Sequence, residues 1–161
     1  MTRLGWTAPV DRLDAGPVRK GILWQHERIR ALLHRARDVA ELALDGNPPT
    51  PDAVASAVGN IRSTMEIHLA FEERVLLPLL RDDLPVGPQR ADALLDEHKR
   101  QREMLSMVHE EARRAPGLIM LAAKLSALTS WLLDDMDEEE RCLLTSDVIR
   151  DDSLVIDQSC G

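Results

Sequence analysis

Hydrophobic residues recur along most of this chain at alternating intervals of three and four, the spacing that places them on one face of an α-helix. Four such segments are separated by short stretches rich in Pro, Gly and Asp, which break helices. Thr50 followed by Pro51 is a favoured cap and first-turn pair for the second helix. The pattern predicts helices at 17–44, at 51–80, from the break at 82–88 to about 114, and at 117–144.

Four amphipathic helices joined by short loops predict an all-α fold, an up-and-down antiparallel four-helix bundle. The composition agrees with this prediction, because Tyr is absent and there is a single Phe, which is poor material for a β-sheet. At 161 residues the chain has the size of one domain. We expect the bundle at 18–145, an N-terminal arm at 1–17 and a short C-terminal tail at 146–161.

Each predicted helix also carries polar side chains on the face that the hydrophobic pattern assigns to the core. In the second helix, for example, His68 and Glu72 interrupt a stripe of Val, Ile, Met and Leu. Carboxylates without a partner are strongly unfavourable in a core, so these groups require mutual compensation or a bound cation. The candidate metal ligands are His26, His68, Glu72, His98, Asp135 and Glu139.

The spacing of these six residues predicts that they lie at one height in the bundle. In an up-and-down bundle, residues at the same height on consecutive helices are equally far along the chain from the loop between them. The midpoint between His26 and the pair on the second helix is Pro48. The next two midpoints, for the second and third helices and for the third and fourth, fall at Leu84 and Gly117. All three lie in predicted loops, so we expect one layer of ligands.

The types of side chain in this layer indicate which ions it would bind. Residues four apart face the same direction on a helix, so His68 with Glu72, and Asp135 with Glu139, can each hold one side of a site. Mixed imidazole and carboxylate ligands suit iron and manganese and, less specifically, zinc. Glu72 and Glu139 are the expected bridges between two ions, because a Glu side chain is long enough to reach the bundle axis.

The order His, then His-x-x-x-Glu, then His, then a second pair resembles the hemerythrin-like HHE cation-binding family. The resemblance covers roughly residues 18–145. Glu72-Glu73-Arg74 matches Glu139-Glu140-Arg141, so the chain is similar to a duplicated helical hairpin. The segments that carry the resemblance are Leu23-Trp24-Gln25-His26-Glu27, His68 to Arg74, Asp96-Glu97-His98-Lys99, and Asp135 to Arg141.

The resemblance implies a non-haem di-iron centre, two Fe ions bridged by carboxylates and an oxo group, with terminal histidines; Mn or Zn are the alternatives. It also implies a protein that binds, senses or detoxifies oxygen, peroxide or nitric oxide. Asp135 departs from the family pattern, which has His there. An added carboxylate should favour the oxidised metal, which argues against reversible oxygen carriage. The alternatives are a ferroxidase or iron-handling protein, and a zinc-bound or metal-free helical interaction module.

The formal net charge of -8 argues against nucleic acid and anionic membranes as partners. The sequence near Met1 has no apolar run and no later stretch approaches the length of a membrane span, so we expect a cytoplasmic protein. Cys142 and Cys160 do not resemble a disulfide framework, which agrees with a reducing compartment. Monomer and dimer remain equally compatible with the pattern, and no protein partner is indicated.

Three further residues have chemically active side chains. Cys142 continues the stripe of the fourth helix past Glu139, and we expect it in the core. His34 and His109 lie about 12 Å and about 16 Å along their helices from the layer, at ~1.5 Å per residue, too far to join it. We expect both to be surface or boundary residues; a second, weak site is the alternative.

Overall fold

In the computed structural model, which describes residues 15–46, 49–83, 87–114, 117–145 and 149, the described chain folds into four helices and no strands. The first 14 residues of the predicted arm and nearly all of the predicted tail lie outside these ranges. The helices run over α1, Ala15–Leu44; α2, Pro51–Asp83; α3, Gly87–Arg113; and α4, Leu118–Cys142. The all-α prediction is confirmed, and each helix boundary lies within a few residues of its predicted position.

The two ends of α2 can be compared with the cap and the end that the sequence predicted for it. The backbone N–H of Ala53 donates to Oγ1 of Thr50 at 3.2 Å, so Thr50 caps α2 as predicted. The predicted end of α2 near Leu80 was wrong by three residues. Pro78 removes one backbone hydrogen bond, but it is exposed, and the helix continues to Asp83 while Leu76, Leu77 and Leu80 are buried around it.

Ion pairs and hydrogen bonds between helices show that neighbouring helices are antiparallel. Between α1 and α4, Arg19 contacts Leu144, whereas Arg30, further along α1, contacts Asp137, which comes earlier in α4. The pairs between α2 and α3 run in the same opposed sense. The strongest packing joins α2 to α3 and α1 to α4, and α2 also touches α4 across the bundle. The arrangement is therefore the predicted four-helix bundle.

The apolar core consists of two clusters. The larger one contains residues from all four helices, among them Ile29 and Leu33 of α1 and Leu132 of α4. The smaller one lies towards the N-terminus of α1 and includes Ile22 and Leu94. Since His26 follows Ile22 and precedes Ile29 on the same buried face, the polar residues lie where the two clusters meet. None of the described helices contains an apolar stretch long enough to cross a membrane.

Candidate metal centre

The predicted layer forms around two imidazoles from neighbouring helices. His26 of α1 and His68 of α2 are 0% and 2% exposed, and their Nε2 atoms lie 3.2 Å apart. With Glu72 and Glu139 they make a group of four whose ligand atoms all lie within 4.8 Å of one another. Four of the six predicted residues therefore share one compact cluster, at the height that the loop midpoints predicted.

Acceptors outside the cluster determine which nitrogen of each histidine carries the proton. Nδ1 of His26 donates to Oε1 of Glu140 at 2.8 Å, and Nδ1 of His68 donates to Oε1 of Gln25 at 3.0 Å. With the proton on Nδ1, each Nε2 presents a lone pair to the cluster. Two lone pairs facing each other at 3.2 Å repel unless a cation lies between them.

Glu72 lies between three histidines, completely buried on α2. Its Oε1 is 3.3 Å from Nε2 of His68 and 3.6 Å from Nε2 of His26. Its Oε2 is 3.2 Å from Nε2 of His98, on α3. The two oxygens of one carboxylate thus face histidines from different sides, which is the arrangement required of a carboxylate that bridges two cations.

Several polar atoms of the layer have no hydrogen-bond partner, even though they are buried. Among the described residues these include both carboxylate oxygens of Glu72, Oε1 of Glu139 and Nε2 of His98. Buried acceptors without donors are costly, and this concentration of them in one place is unusual for a folded core. The donor set is three imidazole nitrogens and two carboxylates, which fits divalent iron, manganese or zinc.

The buried carboxylates also have opposed proton affinities. Burial and the negative charge of Glu72 raise the pKa of Glu139 well above its ordinary value. Burial would also raise the pKa of Glu72, but its interactions with His26 and His98, and the positive charge that His68 acquires at acidic pH, lower it to about 2. Two carboxyl groups this close cannot both ionise easily, so the metal-free pair favours a proton on Glu139. A cation would displace that proton.

His68 remains neutral over the physiological range. Burial, with the nearby imidazoles of His26 and His98, outweighs the attraction of Glu72 and lowers the pKa of His68 to about 4. A neutral imidazole with its lone pair directed inward is the form that binds metal ions. His68 therefore does not need to lose a proton before it can act as a ligand at neutral pH.

The histidines His26 and His98 are supported in the same way. His26 donates to Glu140, which also accepts from Nη1 of Arg30 at 2.8 Å. His98 donates through Nδ1 to Oε1 of Glu73 at 3.1 Å. Glu73 in turn accepts from Nη1 of Arg102 at 2.6 Å. In each case the arginine follows the histidine by four residues, so both lie on the same face of one helix, and the glutamate from a neighbouring helix binds both of them.

Two predicted ligands, His98 and Asp135, lie outside the group of four, and Asp135 has no contact with Glu72 like the one that His98 makes. Asp135 is partly exposed, and its Oδ2 accepts a hydrogen bond from Nε2 of the buried Gln101 on α3. Burial, and then the charge of Glu97, raise the pKa of Asp135 to about 6. His98 touches the cluster through Glu72 alone. The half of the layer built by α3 and α4 is therefore more open than the half built by α1 and α2.

The structure corrects the expectation for Cys142 and confirms the one for His34 and His109. Cys142 is exposed, because α4 ends there and the chain turns so that the N–H groups of Leu143 and Leu144 both donate to the carbonyl of Glu139. Leu144, beyond the end of the helix, is buried in the smaller apolar cluster instead. His34 is exposed and hydrogen-bonded to Arg37 on its own helix, and His109 is half-buried, as expected for a surface and a boundary residue.

Some supporting residues were missed, although the sequence contains a signal for most of them. From the sequence we did not pair Glu73 or Glu140 with a histidine. The Arg four residues after His26 and after His98, together with the matched Glu-Glu-Arg segments, would have predicted both chains. Gln101 has a weaker signal, since it is one polar residue on a buried stripe.

Comparison with known families agrees with this geometry. The model of the hemerythrin HHE cation binding domain matches residues 21–145, which include most of α1, all of the other three helices and every residue of the layer. The comparison with curated proteins found no match, and neither did the comparison with solved structures.

Proposed function

Since the chain belongs to the hemerythrin HHE cation binding domain family, we propose that its polar layer binds two iron ions and that this centre binds, senses or detoxifies oxygen, peroxide or nitric oxide. The observation that carries the proposal is the convergence of three Nε2 atoms, from His26, His68 and His98, on the two oxygens of the buried Glu72. Each of these imidazoles is oriented by an acceptor on its Nδ1.

The residues divide into two positions that share Glu72. The first would be held by His26, His68 and Oε1 of Glu72, and the second by His98 and Oε2 of Glu72. Glu139 lies beside the first position, with Oε2 at 3.7 Å from Nε2 of His26, and its buried Oε1 has no partner. We propose Glu139 as the second bridge, because its side chain is long enough to reach the bundle axis from α4. Three ionised carboxylates, including Asp135, would offset most of the charge of two divalent ions.

Ferrous ions would supply the electrons and the open coordination positions that small oxidants need. The chain itself supplies orientation and a largely water-free environment. The arginine-bound Glu73 and Glu140 keep the histidines in one tautomer. The two apolar clusters flank the layer, and its histidines and Glu72 are buried between them. Such an environment limits uncontrolled reaction of the centre with solvent.

A second candidate function is iron oxidation, as in a ferroxidase or iron-handling protein. It is favoured by Asp135, since a centre with a third carboxylate stabilises ferric iron more than one with a further histidine. The two functions differ in turnover. An iron-oxidising protein would convert many equivalents of Fe(II) per chain in the presence of oxygen, whereas a binding or sensing protein would stop at about the two that it holds.

The test is the iron content of the full chain, produced with iron supplied, together with its visible spectrum before and after exposure to oxygen. We expect about two irons per chain and a spectrum that changes on exposure. A change that reverses when oxygen is removed would support binding or sensing, and continued Fe(II) consumption would support the ferroxidase. Protein that contains no iron, or one zinc ion, would contradict the proposal and favour an interaction module.

A further inference from the structure

The internal repeat allows the two halves of the layer to be compared position by position. His26 with Arg30 in α1 corresponds to His98 with Arg102 in α3, and both pairs make the same chain of hydrogen bonds through a glutamate. The pair His68 and Glu72 of α2 corresponds to Asp135 and Glu139 of α4. With this correspondence, any departure from twofold equivalence identifies what is particular to one half.

Two departures occur together at Asp135. The residue that corresponds to His68 is Asp135, and the residue that corresponds to the apolar Ile29 is Gln101. Ile29 and Gln101 are both buried, at 2% and 3% exposure. Gln101 is therefore a polar residue in a core position, and its side-chain Nε2 donates to Oδ2 of Asp135.

A third departure concerns Glu97, the other residue of α3 that could have been a partner of Asp135. In the first half, Gln25 accepts from Nδ1 of His68, whereas the corresponding residue in the second half is the acidic Glu97. Glu97 cannot donate to a carboxylate and is itself held by Arg100. In the described part of the chain, Gln101 is thus the side chain that donates a hydrogen bond to Asp135. Its amide orientation follows from this contact, since the reverse orientation would place two oxygens against each other.

We propose that Gln101 is a positioning residue that holds Asp135 away from the cluster, so that the two halves take up cations unequally. The first ion enters the group His26, His68, Glu72 and Glu139, which is already assembled. The second ion, at His98 and Glu72, recruits Asp135 only after the hydrogen bond from Gln101 is broken. This inference rests on the proposed metal binding and deepens it.

The first test is a titration of the metal-free full chain with Co²⁺ alone, followed by equilibrium dialysis and by visible absorption. The expected result is a first ion bound at least about tenfold more tightly than the second, the scale set by one hydrogen bond to a charged group. Two ions of equal affinity would overturn this inference and leave the proposed function standing. No bound Co²⁺ would overturn the proposed function as well.

The second test removes the donor while keeping the side-chain volume, with Gln101→Met. We expect the second Co²⁺ to bind about tenfold more tightly, because Asp135 no longer has a hydrogen bond to lose, and the first to be unchanged. Gln89→Met makes the same chemical change at an exposed position of α3 and should alter neither step. Weaker binding of the second Co²⁺ would mean that Gln101 helps to orient a ligand. Unchanged binding would mean that Gln101 does not restrain Asp135. Either result would overturn the inference.

A third variant tests the same bond from its other end if Gln101→Met does not fold, as judged by the helical circular dichroism of the metal-free chain. Asp135→Asn replaces the recruited ligand by a weak one. We expect the second step to weaken about tenfold or more and the first to stay within about threefold of the wild-type value. Equal weakening of both steps would overturn the inference, because Asp135 would then serve the layer as a whole.

Discussion

In the half of the layer that α1 and α2 build, two imidazoles meet at 3.2 Å and a buried carboxylate lies beside them. In the half that α3 and α4 build, one imidazole meets the same carboxylate, and the residue in the place of the second imidazole is hydrogen-bonded to Gln101. The supports at the edge of the layer are nevertheless alike. The two halves share the way in which they orient a histidine and differ in how many ligands they present.

This difference teaches that orientation and coordination are separate tasks in this bundle. Orientation depends on a partly exposed arginine one helical turn after each histidine, Arg30 in α1 and Arg102 in α3. Each arginine binds the glutamate that accepts from the histidine. The number of ligands that each half presents depends on what projects inward from α2 and α4, since α1 and α3 each contribute one histidine. A single exchange on α4 can therefore change one metal position without disturbing the supports, and variants can address the two tasks one at a time.

The largest expected effect comes from the residue that both halves share. Glu72→Gln removes the charge that faces His68 through one oxygen and His98 through the other. We expect the affinity for both ions to fall about a thousandfold, equivalent to the ~4 kcal/mol that breaking a buried ion pair costs. Equilibrium dialysis with Fe(II) under anaerobic conditions measures this loss.

The same variant should leave the metal-free bundle intact. Glu72→Gln relieves the repulsion that raises the pKa of Glu139, so the melting temperature without metal should be unchanged or higher. Glu103→Gln, which removes one charge from an exposed position of α3, is the control and should retain both ions. If Glu72→Gln lost only one ion, Glu72 would serve one half and the shared-bridge interpretation would be wrong.

The next effect separates the supports of the two halves. Glu140→Gln should weaken the first ion by about 10- to 100-fold, because His26 loses the carboxylate that orients it and increases its basicity. Glu73→Gln should do the same to the second ion through His98. Calorimetric titration of each variant with Fe(II) or Co²⁺ resolves the two steps.

Asp137→Asn is the matched control for the support of His26. Asp137 binds Arg30 at 2.6 Å, as Glu140 does at 2.8 Å, but it is largely exposed and does not touch the histidine. Exposed ion pairs contribute little, so both steps should stay close to those of the wild type. If Asp137→Asn weakened the first ion as much as Glu140→Gln, the loss of affinity would come from the ion pairs of Arg30 and not from the contact between Glu140 and His26.

The sequence predicted the fold and most of the layer because both depend on spacing. Helical periodicity placed each candidate on a buried face, and the loop midpoints placed them at one height; His26, His68 and Glu72 meet accordingly. The outcome for Asp135 depends on side-chain conformation and on a neighbour in another helix, Gln101. Periodicity along one helix carries no information about that choice.

Cys142 shows a second limit of prediction from periodicity. It occupies the next position on the stripe of α4, yet it is exposed. The helix ends there, and the backbone turn after it brings Leu144 and then Ile149 into the smaller cluster. Where a helix stops is decided by the burial of the residues beyond it, which the stripe itself does not record.

A more modest effect follows from making the two halves alike. Asp135→His places a histidine at the position that corresponds to His68. Glu97, which corresponds to Gln25, could then accept a hydrogen bond from the new imidazole, as Gln25 does from His68. We expect the second ion to bind about tenfold more tightly, so that the two steps approach each other, because an imidazole cannot be held through a carboxylate oxygen by Gln101. Titration with Co²⁺ measures the separation. An unchanged separation would mean that the backbone of α4 lies too far from His98 for this residue to contribute.

The smallest effect concerns the metal-free protein and its pH dependence. Burial and Glu97 raise the pKa of Asp135 from 3.8 to about 6, so the folded state binds more protons than the unfolded state between these values. The ionised carboxyl therefore destabilises the fold above about pH 6, and this cost disappears as the pH falls to about 4. Asp135→Asn should stabilise the chelator-treated protein by about 1 kcal/mol at pH 7, a modest value because the carboxyl is partly exposed to solvent.

Urea unfolding at pH 7.5, 6 and 4.5 would follow this gain, which should shrink towards zero at the lowest pH. Asp134→Asn, at the exposed neighbouring position, is the control and should change stability by less than ~0.5 kcal/mol at each pH. If Asp135→Asn instead destabilised the protein at pH 7, the hydrogen bond from Gln101 would outweigh the cost of burying Asp135. The contact between Gln101 and Asp135 would then stabilise the metal-free fold. Breaking it to bind the second ion would cost more free energy than we infer here, so the second ion would bind more than tenfold more weakly than the first.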